Sequence, residues 1–113
     1  MALTPSEQAD VMTSTRVQAN GLYFTFSKKG NIATISFNGT ATAAVSSAVK
    51  ICDIPSGYEP DYNFTDYGNF TCVIRDTTGG SIFLVDLTAT EVKANSGISV
   101  GSKLRGSTSY IVK

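Results

Sequence analysis

The residues able to do chemistry in this chain are mostly carboxylates and phenols. Asp61, Asp66, Asp76, Asp86 and Glu91 are the candidate acids, and Tyr58, Tyr62 and Tyr67 cluster with the first two of them. No histidine is present, which removes Ser-His-Asp and Cys-His nucleophiles together. Two cysteines twenty residues apart, Cys52 and Cys72, have no zinc spacing; each lies in an apolar, strand-like run and reads as a buried free thiol. Glycine pairs such as Gly79-Gly80 lack the strand-loop-helix setting of a phosphate cradle and read as hairpin glycines. Paired carboxylates leave glycoside hydrolysis as the one catalytic option, because that reaction needs two of them about 5 to 9 Å apart. Oxygens between Asp61 and Asp66 could hold calcium, but no EF-hand pattern supports it, so the reading is no metal and no cofactor.

Binding fits these residue types better than catalysis. Sugars are recognised by a flat aromatic face under the ring and by planar groups that hydrogen-bond adjacent hydroxyls in pairs. Tyr58, Tyr62 and Tyr67 could supply the first, with Asp61 among the second. The competing reading is that these tyrosines pack a corner, and the residue types leave both open.

That corner is Ile51 to Pro60, where Pro55 and Pro60 flank Gly57 and neither a helix nor an inner strand can continue. It separates two β-rich halves. Before it, Leu22, Phe24 and Phe26 alternate with polar residues, and Ala33, Ile35 and Phe37 return after a turn at Lys28 to Asn31, which predicts a hairpin. Thr40 to Ser47 reads as a loop or bent edge strand, followed by extended structure from Val49 to Ile54. Beyond the corner, strands are predicted over residues 69–75, 81–87 and 91–94, with an extended piece at 98–100. A last strand runs from Leu104 to Val112, where Gly106 suggests a bulge. Phe83, Val85 and Leu87 share one face, which sends Asp86 to the other; Arg105 likewise falls opposite Leu104.

The N-terminal residues 1–19 carry a capping box, Thr4-Pro5-Ser6-Glu7, that predicts a short helix to about Met12 and then a linker, either a stalk attachment or a remnant. Residues 20–113 form the one domain. Its seven or eight short strands predict an all-β fold, a small antiparallel barrel or sandwich, with edges closed or buried against copies of itself.

The 113 residues are 42% hydrophobic and only 16% charged, with a formal net charge of zero, so no overall excess of positive charge favours nucleic acid. No apolar run reaches the length of a membrane span, and residues 1–20 lack the apolar core of a signal peptide, so the expectation is neither membrane insertion nor Sec export. The Asn-x-Thr triplets at Asn38, Asn63 and Asn69 read as chance.

The run Val49-Lys50-Ile51-Cys52-Asp53-Ile54-Pro55-Ser56-Gly57-Tyr58-Glu59-Pro60, and the ending Leu104-Arg105-Gly106-Ser107-Thr108-Ser109-Tyr110-Ile111-Val112, carry a resemblance. Over about Asn20 to Lys113 the chain resembles the C-terminal head domain of receptor-binding proteins from lactococcal-type tailed phages. The resemblance implies a homotrimeric β-barrel at the virion's tail or baseplate tip, held by other tail proteins and made in the bacterial cytoplasm. It would adhere reversibly to host cell-wall saccharide without catalysis. It further implies a sugar cleft using Arg105, and Asp86 after a one-residue shift. Leu84 stands where the family has histidine, and the chain has no tryptophan to stack on a ring. A structural trimerisation tip without ligand is the alternative.

Overall fold

The structure is a computed structural model that describes residues 12–61, 70–76 and 82–113, with 70–76, 82 and 83 described by their backbone path. The described residues are all-β and contain no helix. Eight strands occur among them: β1 (Met12–Ala19), β2 (Leu22–Lys29), β3 (Ile32–Thr40), β4 (Lys50–Asp53), β5 (Phe70–Asp76), β6 (Ile82–Leu87), β7 (Glu91–Ala94) and β8 (Lys103–Ile111). They form a single antiparallel sheet in the order β1-β2-β3-β8-β5-β6-β7-β4.

Turn chemistry explains the first meander. Asn20 and Gly21 both take positive φ, 53° and 75°, the requirement of a type I′ turn, so Ala19 pairs with Leu22 and β1 runs back along β2. Residues 14–20 are therefore not a linker but part of the sheet, and the expected boundary after residue 19 falls inside a hairpin. The helix expected from Thr4 lies outside the described residues, except that its last residue, Met12, begins β1. Gly30, with φ 62°, opens the second two-residue turn and sets Lys29 against Ile32.

The core forms where inward alternation from the two halves meets. Leu22, Phe24 and Phe26 of β2 and Ala33, Ile35 and Phe37 of β3 pack with Val85, Leu87, Val92, Ala94 and Leu104. Phe24 and Phe37 meet edge to face at 5.4 Å, an arrangement that the ring quadrupole favours. Gly106 is not a bulge: the register between β3 and β8 runs unbroken and sets it opposite Phe37. The irregular step lies instead between Lys50 and Cys52 in the pairing of β4 with β7. The segment expected at 98–100 is reduced to one bridge, Val45 to Ile98, which ties the β3–β4 connection to the β7–β8 connection.

The proline corner docks on the end of β8. Pro60 bridges Val112, and the Asp61 amide donates to the Ile111 carbonyl at 2.8 Å. A turn from Pro55 to Tyr58 closes at 3.1 Å with Gly57 at φ 93°, the positive value that a type II turn needs at its third position. The sheet curls so that its edge strands β1 and β4 approach each other, yet they are not neighbours in the hydrogen-bonded order.

Candidate functional site

Alternation sorts the side chains of β1, β2, β3 and β8 into a core face and an outer face. On the outer face the register sets Gln18 beside Tyr23, Tyr23 beside Asn38, and Asn38 beside Arg105. This row crosses four strands and spans about 14 Å at the usual strand spacing. All four side chains are exposed, Tyr23 by 38%. The Arg16 guanidinium lies 5.4 Å from the Tyr23 ring centroid, and Gln18 Nε2 donates to Tyr23 Oη at 3.5 Å. Planar donors and acceptors thus stand side by side on strands, not on loops. Below the row the face carries the hydroxyls of Ser14, Thr25, Ser27, Thr34, Ser36, Ser107 and Ser109, and then Met12, Lys29, Ile32 and Ile111 at its far end. Thr34 and Ser109 hydrogen-bond each other across the β3–β8 pair at 2.8 Å.

Arg105 sits at the end of this row, exposed, with Asn38 opposite it on β3 and Arg75 opposite it on β5. Asp86 is on β6, in register with Thr71 and Lys93, and accepts a hydrogen bond from Asn95 Nδ2 at 2.9 Å. Two strand spacings and four residues of offset separate Arg105 from Asp86, roughly 16 Å between backbones. The same distance rules out a salt bridge between them.

Tyr58 belongs to the packed corner. Its side chain is only 7% exposed, its ring lies 5.9 Å from that of Phe26, and Lys28 Nζ lies 5.2 Å from the ring centroid. Lys28 also donates to the Gly57 carbonyl at 2.8 Å. Tyr58 Oη donates to Thr13 Oγ1 at 3.0 Å, and the Tyr58 carbonyl accepts from Tyr110 Oη at 2.8 Å. No open ring face remains for a sugar, so Tyr58 is not a stacking platform. Asp61 is half-buried beside the end of β8. Tyr62, Tyr67 and Asp66 lie outside the described residues.

Charge elsewhere is locally compensated. Lys50 Nζ lies 3.3 Å from Asp53 and 3.9 Å from Glu91 on the β4–β7 side. Among the described residues no three acid or thiol side chains converge as a metal-ligand group. Cys52 is a free, buried thiol; burial, and secondarily the Asp53 carboxylate, pushes its pKa up to about 12 against a smaller opposing effect of Lys50. A thiol held protonated is a poor nucleophile and a poor metal ligand.

The sequence alone does not mark Arg16, Gln18 and Tyr23 as site residues, and Asn38 stands out only through its Asn-x-Thr triplet. The signal was present in two turns, Asn20-Gly21 and Gly30-Asn31, which set both hairpin registers and bring Gln18, Tyr23 and Asn38 into one row. No protein-family model matches this chain, and no curated protein matches it.

Proposed function

We propose that this domain is a non-enzymatic adhesion module, the homotrimeric head of a phage tail or baseplate receptor-binding protein that grips host cell-wall saccharide reversibly. The observation that carries the reading is the exposed row Gln18-Tyr23-Asn38-Arg105, flanked by Arg16, on the outer face of the sheet. Guanidinium and amide groups in a plane suit the paired hydroxyls of a sugar, and the neighbouring serines and threonines add donors and acceptors at strand spacing. The described carboxylates Asp61, Asp86 and Glu91 stand away from this row, which favours holding a glycan over cleaving it.

The resemblance in the Ile54 to Pro60 corner and the chain ending supplies the phage-tip setting. Assembly with copies is favoured by the sheet's two edges, each marked by an exposed apolar residue: Met12, 64% exposed, begins β1, and Val49, 47% exposed, precedes β4. A contact from the β1 edge of one copy to the β4 edge of the next is heterologous; with a threefold rotation between copies it closes into a ring that leaves the outer face open. A shallow site of millimolar strength supplies only about 4 kcal/mol, so attachment depends on several sites acting together.

The test is binding of the purified domain to wall polysaccharide, with Arg105→Ala beside it. The expected result is at least about a tenfold loss of affinity, equivalent to about 1.4 kcal/mol, with an unchanged melting temperature. Undiminished binding by the variant refutes the assignment of Arg105. A trimer that binds no glycan favours a structural tip, and release of reducing ends favours a glycosidase.

A further inference from the structure

The two edges assigned to the contact between copies face each other within one chain. In an eight-stranded sheet whose neighbours are all antiparallel the first and last strands run in opposite directions, so β1 and β4 meet across the seam of the curled sheet as an antiparallel pair would. Their Cα atoms come within 8 Å, yet no ladder joins them. In a two-residue hairpin the closing pair, Ala19 and Leu22, exchanges both ladder bonds; alternation then turns the amides and carbonyls of Ser14, Arg16 and Gln18 away from β2 and towards the seam. Among the described residues those main-chain groups have no hydrogen-bond partner. Val17 and Ala19 on one lip and Ile51 on the other pack against the core and stay half-covered. No proline, inward charge or bulge guards the β1 edge.

Side chains fasten the seam instead of a ladder. At the open end of the β1–β2 hairpin the proline corner, which follows β4, reaches across: Tyr58 Oη donates to Thr13 Oγ1 at 3.0 Å, and Lys28 Nζ donates to the Gly57 carbonyl at 2.8 Å. At the turn end Asn20 Nδ2 donates to the Ala43 carbonyl at 2.9 Å and Asn20 Oδ1 accepts from the Ala43 amide at 2.9 Å, which fixes the turn to the β3–β4 connection. A strand laid between two others needs about 9.5 Å between them, so no second copy can pair with β1 along this stretch while β4 stands so near. Resting on the edge assignment above, we propose that assembly is gated by the seam. The contacts of Thr13 and Lys28 with the corner are the latch, and only when they part does the sheet uncurl and free both edges for a second copy.

The experiment uses the full chain. Assembly is followed by light scattering after a jump from dilute to concentrated protein, and amide exchange in monomer and assembly is read by NMR. For a gated contact the half-time stops falling with concentration, because parting of the latch becomes the slow step. Thr13→Val with Lys28→Met removes both latch bonds and should raise that plateau rate about tenfold. Lys29→Met removes the same charge from an exposed neighbour that has no bond to the corner among the described residues, and should leave the rate unchanged. The amides of Ser14, Arg16 and Gln18 should exchange fast in the monomer and slowly in the assembly, with Thr15 and Val17, bonded to β2, protected in both. A half-time inversely proportional to concentration throughout, or a latch variant no faster than the unaltered chain, overturns the gate and leaves the edge assignment standing. Amides of Ser14, Arg16 and Gln18 that still exchange fast in the assembly, or a chain that is monomeric at every concentration, overturn the gate together with the edge assignment.

Discussion

Tyr110→Phe deletes one oxygen from the joint between the proline corner and the last strand. The lost group donates to the Tyr58 carbonyl at 2.8 Å, and both tyrosines are about 7% exposed, so water does not easily replace it. The ring stays and its packing with it. What changes is one hydrogen bond and the desolvation of a carbonyl left without its donor, together about 2 kcal/mol. Against a total of about 5 to 15 kcal/mol for a domain of this kind, that is a large fraction and corresponds to about 8 °C in Tm. Tyr58→Phe is the internal comparison, because its hydroxyl bonds the exposed Thr13, where water can substitute, and it should cost less than about 1 kcal/mol. Urea unfolding followed by circular dichroism reads both: the midpoint falls and the slope stays constant, since the surface exposed on unfolding is the same. If Tyr110→Phe costs no more than Tyr58→Phe, the joint does not hold the corner as described. Neither variant should alter glycan binding, since both hydroxyls lie off the outer row.

Alkaline pH should destabilise the fold from about pH 9 upward. Burial raises the Cys52 thiol from 9.0 to about 12, and burial raises the Tyr110 phenol above its ordinary range, with Glu59 and Tyr58 adding to it. The unfolded chain therefore loses these protons first; the stability they contribute is full below about pH 9 and is lost as pH rises through about 12. Cys52→Ala should flatten the first part of that decline in urea midpoints measured from pH 8 to 11, and an unchanged curve counts against a buried thiol. Gly21→Ala should destabilise by about 2 kcal/mol or more, because φ is 75° and a Cβ there would collide with the Thr40 carbonyl oxygen; a shift in Tm within error would refute that close approach.

Where a strand alternates strongly, the chain announces its own inside. Leu22, Phe24 and Phe26, then Ala33, Ile35 and Phe37, point to one face by period alone, and all six are buried. The β1 strand escaped this test because an edge strand buries little: only Thr15, Val17 and Ala19 of its eight residues are even half-covered. Its signal was the Asn20-Gly21 turn instead. Gly106 misled for the opposite reason. A glycine inside a strand suggests a bulge, but here it faces the core across from Phe37, where a missing side chain can accommodate a ring without interrupting the ladder. Tyr58 was open between two roles because residue type alone cannot say whether a phenol finds a neighbour; Phe26 and Lys28, distant in sequence, decide it.

The outer face was illegible for a reason of connectivity. The strand order inserts β8 between β3 and β5, so the last strand joins the β1-β2-β3 meander to the β5-β6-β7 meander. Local pattern shows that Arg105 points away from the core but not which strand it lies beside. Once β8 lies against β3, Arg105 comes next to Asn38, and residues from both ends of the chain gather on one surface. The row therefore rests on ladder hydrogen bonds across four strands and on the core beneath them. Such a site is rigid before the ligand arrives, which lowers the ordering cost of binding. It also separates function from stability: substitutions at Arg16, Asn38 or Arg105 remove no core contact, whereas those at Phe37 remove the support under the row.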